Sequence, residues 1–166
     1  MQIGMDAILA NLREVNRRIT EAADLSGRRR DDVRLVVVSK GQPVQVVEAA
    51  IHAGVKDFGE NYPEESQPKI LALHGYDVTW HMIGHLQSRK AGLVVEHFHF
   101  FQALDSLRLA QKLQRILEER QKTLPVLLEV NVGDEAAKYG WRIGENQTWE
   151  ALEADMHALV KADLCF

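Results

Sequence analysis

Ile8, Leu9, Leu12, Val15 and Ile19 recur at steps of three and four, the spacing of a helix with one apolar face. The Ser26-Gly27 pair predicts its end, and Arg28-Arg29-Arg30-Asp31-Asp32 mixes both signs as a solvated loop does. Residues 34–39 form a β-branched run without polar alternation, the pattern of a strand buried on both faces in a parallel sheet. Pro43 suits the opening of a helix, with Val44, Val47 and Ile51 as its stripe and Gly54 at its end. Residues 55–59 read as a short strand, and a helix follows Pro63 and closes near Gly75. The same alternation continues with a strand at 80–83, a helix at about 87–96 and a strand at 99–104. Leu109, Leu113 and Ile116 mark another helix, and residues 125–132 a clear strand. Trp149, Leu152, Met156 and Leu159 define the last helix, ahead of a strand stub at 164–166.

A helix followed by five β-α units requires a parallel sheet joined by helical crossovers. Such a sheet either stays open and doubly wound or closes into a barrel. The glycine-rich turn of a dinucleotide fold is absent after the first strand, where Ser39-Lys40-Gly41-Gln42-Pro43 stands instead. The expected class is therefore α/β of the (β/α)8 barrel type. A full barrel needs at least about 200 residues, so 166 residues predict an incomplete barrel lacking its last strands. No linker, repeat or low-complexity stretch divides the chain, so residues 1–166 are expected to form a single domain.

Composition narrows the function classes. With 46% hydrophobic and 27% charged residues the chain is ordinary globular protein. Twenty basic against 24 acidic side chains leave no footprint for nucleic acid. No apolar run approaches the roughly 20 residues that span a bilayer, and the start lacks a signal peptide's apolar core. The lone Cys165 has no internal disulfide partner, which suits a reducing compartment. A cytoplasmic location, without membrane partners, is expected.

Lys40 is the first candidate for chemistry. A lysine ending an apolar strand emerges at the carboxyl edge of the sheet, where parallel α/β folds place their ligands. Low-dielectric surroundings would favour its neutral amine, which condenses with aldehydes. The same position also suits a lysine that merely extends into water. In Phe58-Gly59-Glu60-Asn61-Tyr62, Asn61 offers donors and an acceptor to a ligand, or equally caps a helix. His81 and His85 are four apart, but Met82 stands where a zinc-binding HExxH helix needs glutamate. No metal site is expected, and the segment reads as a strand and turn. Glu135-Ala136-Ala137-Lys138-Tyr139-Gly140 occupies a βα-loop position where barrels gather functional groups, although solvated loop charges explain it too.

Together, Val36 to Lys40, Phe58 to Tyr62, Trp80 to Ser88, Leu104-Asp105-Ser106 and Glu135 to Gly140 resemble the pyridoxal 5′-phosphate homeostasis protein family. The resemblance implies a barrel related to the N-terminal domain of alanine racemase. It also implies pyridoxal 5′-phosphate held as an imine on Lys40, with Asn61, His81, Ile83, Ser88 and Lys138 around the cofactor. Family members are regarded as carriers or regulators of the cofactor pool, so no catalytic residue is expected. Gly41, Pro63 and Arg89 depart from the family's usual residues. The resemblance places the family's phosphate-holding Ser/Gly-rich turn and Arg-x-Gly segment in three further strands that these 166 residues do not include, so weak binding is expected. The alternatives are a pyridoxal-phosphate-dependent racemase or decarboxylase of the same barrel, or a fragment that does not bind. Self-association through the open barrel edge is a further expectation.

Overall fold

A computed structural model describes residues 4–142 and 149–161. The first helix, α1 (Met5–Leu25), turns Ile8 and Leu12 toward the protein, while Arg17 bridges Glu14 and Glu21 on the solvent side. Val15, expected in the apolar stripe, is exposed, because α1 lies along α2 (Val44–His52) and the 3-10 turn Arg30–Asp32 without being enclosed. Five β-α units then follow. They comprise β1 (Val37–Val38) with α2, β2 (Asp57–Glu60) with α3 (Pro63–Ala72), and β3 (Thr79–Met82) with α4 (Ala91–His97). After these come β4 (Phe100–Leu104) with α5 (Leu107–Arg120), and β5 (Val126–Leu128) with α6 (Trp149–Lys161). A 3-10 turn, Ser88–Lys90, precedes α4 where continuous helix was expected.

The five strands lie in strict chain order, β1-β2-β3-β4-β5, and all pair in parallel. Sequential order with right-handed crossovers stacks every helix on the same face, which is barrel winding and not the doubly wound alternative. Register then separates two environments. Glu60, Met82, Phe101 and Val126 form one row, and Val37, Phe58 and Trp80 another. These rows face the helices, where Phe58 and Trp80 meet at 5.4 Å among Val47, Ile70, Leu73, Val94 and Leu113. Val38, Gly59, His81 and Phe100 form the intervening row on the inner, concave face.

The structure corrects the expected boundaries in three places. The first strand is not buried on both faces: Val38 is 50% exposed, because β1 has a single neighbour and Val38 looks onto the open inner face. The strand at 125–132 is broken at Glu129. Its amide donates to the Leu104 carbonyl (2.8 Å), whereas its carbonyl accepts from the Trp141 amide (2.8 Å). The chain thus leaves the main sheet and forms a separate parallel pair, β6 (Val130–Asn131) with β7 (Trp141–Arg142). In α6, Leu152 and Leu159 are buried but Met156 is exposed. The expected stub at 164–166 and Cys165 lie outside the described residues. No described helix is long and apolar enough to cross a membrane.

Candidate functional site

Ligands of parallel sheets collect at the carboxyl ends of the strands. At the end of β1 the chain turns at Lys40-Gly41, and Gly41 takes φ +70°, the left-handed region that glycine adopts without a Cβ penalty. Behind this turn lies a buried polar cluster. Glu60 accepts from the Ser39 hydroxyl (2.6 Å) and the Ser66 hydroxyl (3.0 Å), and pairs with the Lys69 ammonium at 2.6 Å. Lys69 also donates to the Ser39 carbonyl (2.8 Å), so it fixes the residue before Lys40. Lys40 itself is exposed and has no hydrogen bond or ion pair among the described residues. The low-dielectric surroundings expected for it are absent, since strand β1 stops at Val38 and the next residues already form the surface turn.

The ends of β2, β3 and β5 enclose a cleft of about 460 Å³, bordered by Asn61, Ile83, His85, Glu129 and Tyr139. Two glycines make the close packing possible. A Cβ on Gly84 would stand 2.6 Å from the Asn61 carbonyl oxygen, and one on Gly59 2.9 Å from Ile83 Cδ1. His85 hydrogen-bonds Asp105 (Nδ1 to Oδ2, 2.7 Å) and lies flat on the Tyr139 ring, 3.5 Å between centroids. Among the described residues, Glu129 Oε2 is buried without a hydrogen-bond partner. Burial pushes its carboxyl above the ordinary value; the Asp105 carboxylate pushes the same way and His85 opposes. The cleft therefore combines an apolar wall, an amide, an aromatic platform and an acid biased toward its neutral form.

His81 lies elsewhere. Only 1% exposed, it sits on the inner face with Nε2 at 2.9 Å from Asp57 Oδ1, Nδ1 at 2.9 Å from the Gln102 amide nitrogen, and its ring stacked on Phe100. Desolvation acts to raise Asp57, but the Arg34 guanidinium and His81 outweigh it and hold the carboxyl below its usual range. Both ring nitrogens of His81 are thus engaged inside the protein. Ser88 opens the 3-10 turn and faces a different cleft with Arg89 and α5. Lys138 is exposed in the loop 133–140, paired with Glu135 at 2.5 Å. Of the six expected residues, Asn61 and Ile83 share the cleft; Lys40, His81, Ser88 and Lys138 do not border it. Glu129 and the Glu60–Lys69 pair were missed. A single acid inside the apolar run 126–132 was the available signal for the former, whereas a helical lysine such as Lys69 looks like any surface lysine. Among the described residues, no three His, Cys, Asp or Glu side chains converge as a metal requires.

The sequence profile of the alanine racemase N-terminal domain matches residues 3–164. The pyridoxal phosphate homeostasis protein of Escherichia coli K12 is 38% identical over 161 residues, covering 93% of this chain and 68% of that protein. PipY of Synechococcus elongatus, solved without PLP, superimposes with a TM-score of 0.72 at 34% identity over 86% of this chain and 65% of its own. PipY with PLP bound gives 0.67 at 34% identity, over 85% and 63%. The alanine racemase of Clostridium difficile 630, at 14% identity, a TM-score of 0.61 and coverage of 89% and 36%, shares the fold. The chain thus spans about two thirds of the length of the E. coli relative and of PipY.

Proposed function

The chain belongs to the family of the alanine racemase N-terminal domain, and from that membership we propose that it binds pyridoxal 5′-phosphate as a carrier or regulator of the cofactor pool, without turnover. The observation that carries this reading is Lys40. It is an amine free of ion pairs among the described residues, at the carboxyl end of β1, in a chain 34% identical to a protein solved with PLP bound. When bound, the cofactor supplies an aldehyde, with which a primary amine condenses with loss of water. Lys40 supplies the amine, and Lys69 keeps its turn in place through the Ser39 carbonyl. A cleft of about 460 Å³ falls within the size range of small-molecule sites. Asn61 borders it with amide donors and an acceptor, and Ile83 with an apolar wall. His81 acts from below by fixing Phe100 and the inner strand row, positioning the site and transferring no proton. Ser88 and Lys138 belong to the flanking turn and loop and act on the rim.

Absorbance titration with pyridoxal phosphate, followed by borohydride reduction and peptide mapping, tests the reading. A yellow species that reduction fixes on Lys40 is expected. Lys40→Ala is expected to abolish the fixed adduct and Lys138→Ala to leave most of it. Amino-acid racemisation by the loaded protein is expected to stay at background. A label mainly on other lysines overturns the assignment.

A further inference from the structure

Helix α5 opens on a cation with no acid in its first turn, while Arg120 in its last turn follows the dipole. Arg108, Lys112 and Arg115 follow at steps of four and three along its outer face, opposite the buried Leu109, Leu113 and Leu117. Its first turn holds Arg108 and no acid, while Glu118 and Glu119 stand near its carboxyl end. Cations near a helix amino end and like charges one turn apart both oppose helix formation.

The surrounding cations are neutralised. Lys90 pairs with Glu64 (2.6 Å), and Arg120 and Lys122 both pair with Glu96 (2.8 and 3.3 Å). Arg89, Arg108, Lys112 and Arg115 instead form no ion pair among the described residues; Arg89 donates to the Gln87 side chain and acts on the Glu64 carboxylate only from a distance. These four cations, with Ser88 and Gln111, line a cleft of about 450 Å³ between the 3-10 turn and α5. A net charge of −4 for the whole chain makes this concentration of unpaired positive charge local.

We infer that this cleft is a binding site for a small organic phosphate carrying at least two negative charges. Guanidinium groups match phosphate oxygens two at a time, and the Ser88 hydroxyl and Gln111 amide add neutral donors. The stripe from Arg108 to Arg115 is only ~10 Å long at about 1.5 Å per residue. That length serves two neighbouring phosphate groups, not a nucleic-acid backbone. Such a ligand would neutralise the repulsion that the fold leaves uncompensated. The site is separate from the cleft of Asn61 and Ile83 and shares with it only the segment 87–90, from which Gln87 and Lys90 face the other side.

Calorimetric titration of the 166-residue chain with pyrophosphate tests this. Saturable binding at one site is expected, with a Kd of about 1 mM or tighter. Inorganic phosphate is expected to bind more weakly, and sodium chloride at equal ionic strength to give no saturable signal. The triple substitution Arg108→Gln, Lys112→Gln and Arg115→Gln is expected to weaken pyrophosphate binding at least about tenfold. Without anion its melting temperature should equal or exceed the parent's, because the like-charge repulsion is gone. Arg120→Gln with Lys122→Gln removes an equal kind of charge outside the cleft and should leave binding unchanged. Lys40→Ala should also leave it unchanged, which separates this site from the cofactor reading. Absence of saturable binding, an unaffected triple variant, or tighter binding of a single-stranded oligonucleotide overturns the proposal.

Discussion

Glu60 and Lys69 show how a single residue can govern the site without touching a ligand. Their side chains are 3% and 9% exposed, so the pair is nearly dry, and each partner compensates the other's lost hydration. Lys69→Met keeps the chain length and removes the charge, leaving Glu60 with two hydroxyl donors and no cation. A loss of about 3–5 kcal/mol in denaturant unfolding is expected, the usual cost of stranding a buried charge. The double change with Glu60→Gln should recover much of it, because the two sites share one interaction. A single variant within about 0.5 kcal/mol of the parent would show that water already screens the pair. The sequence made the position of Lys40 legible, since a lysine ending an apolar run must emerge at the strand's carboxyl edge. Its exposure was not legible, because that depends on how soon β1 ends and on what neighbours the fold supplies. Nor was the setting of His81: the motif marks the residue, but only the structure shows its ring held between Asp57 and Gln102.

At the level of elements, hydrophobic periodicity located α1, α2, α5 and α6, whereas α3 was placed by Pro63 and buries Ser66 and Lys69 beside Ile70. Periodicity failed where strand and turn share one apolar pattern. Residues 125–132 read as unbroken, yet Glu129 diverts its carbonyl to Trp141, and no side-chain period records where a backbone bond goes. The turn after β3 is a second such case, and Gly84 is its determinant. A Cβ there would lie 2.6 Å from the Asn61 carbonyl oxygen and 2.8 Å from its Cα, both backbone atoms that cannot rotate away. Gly84→Ala is therefore expected to separate the ends of β2 and β3. A destabilisation of roughly 1–3 kcal/mol should follow, as for other overpacked sites, together with weaker cofactor binding as Asn61 shifts. Gly75→Ala, whose Cβ would meet nothing within 4 Å, is the control. Its melting temperature should match the parent's, and equal melting temperatures for both variants would refute the role given to Gly84.

At the scale of the whole molecule, the described residues form a sheet with helices on one face and two free edges. The alternation of elements predicted the parallel sheet and the missing glycine-rich turn favoured barrel winding; the strand order bears this out, because consecutive right-handed crossovers bring each new strand beside the last. Among the described residues, β1 and β5 each have one neighbour in the sheet, and their ladders are only two and three residues long. Short edges limit strand-to-strand pairing, but they do not cover the apolar residues beside them. Val38 on β1 is 50% exposed and Leu127 on β5 is 57% exposed, so solvent-facing apolar surface flanks both edges. Burial of such surface favours association, and the simplest available cover is a second copy of the same chain. Light scattering on the 166-residue chain is expected to show a mass that rises with concentration at roughly 10–100 µM, where exposed edges and apolar surface associate. Leu127→Lys places a charge beside the β5 edge, a device that natural sheets use against pairing. It should restore the monomer mass while leaving the far-UV spectrum unchanged, since Leu127 is largely outside the core. A parent chain that stays monomeric over that range would show that the polar groups of the inner face, Arg34, Asp57 and Gln102 among them, already keep it soluble.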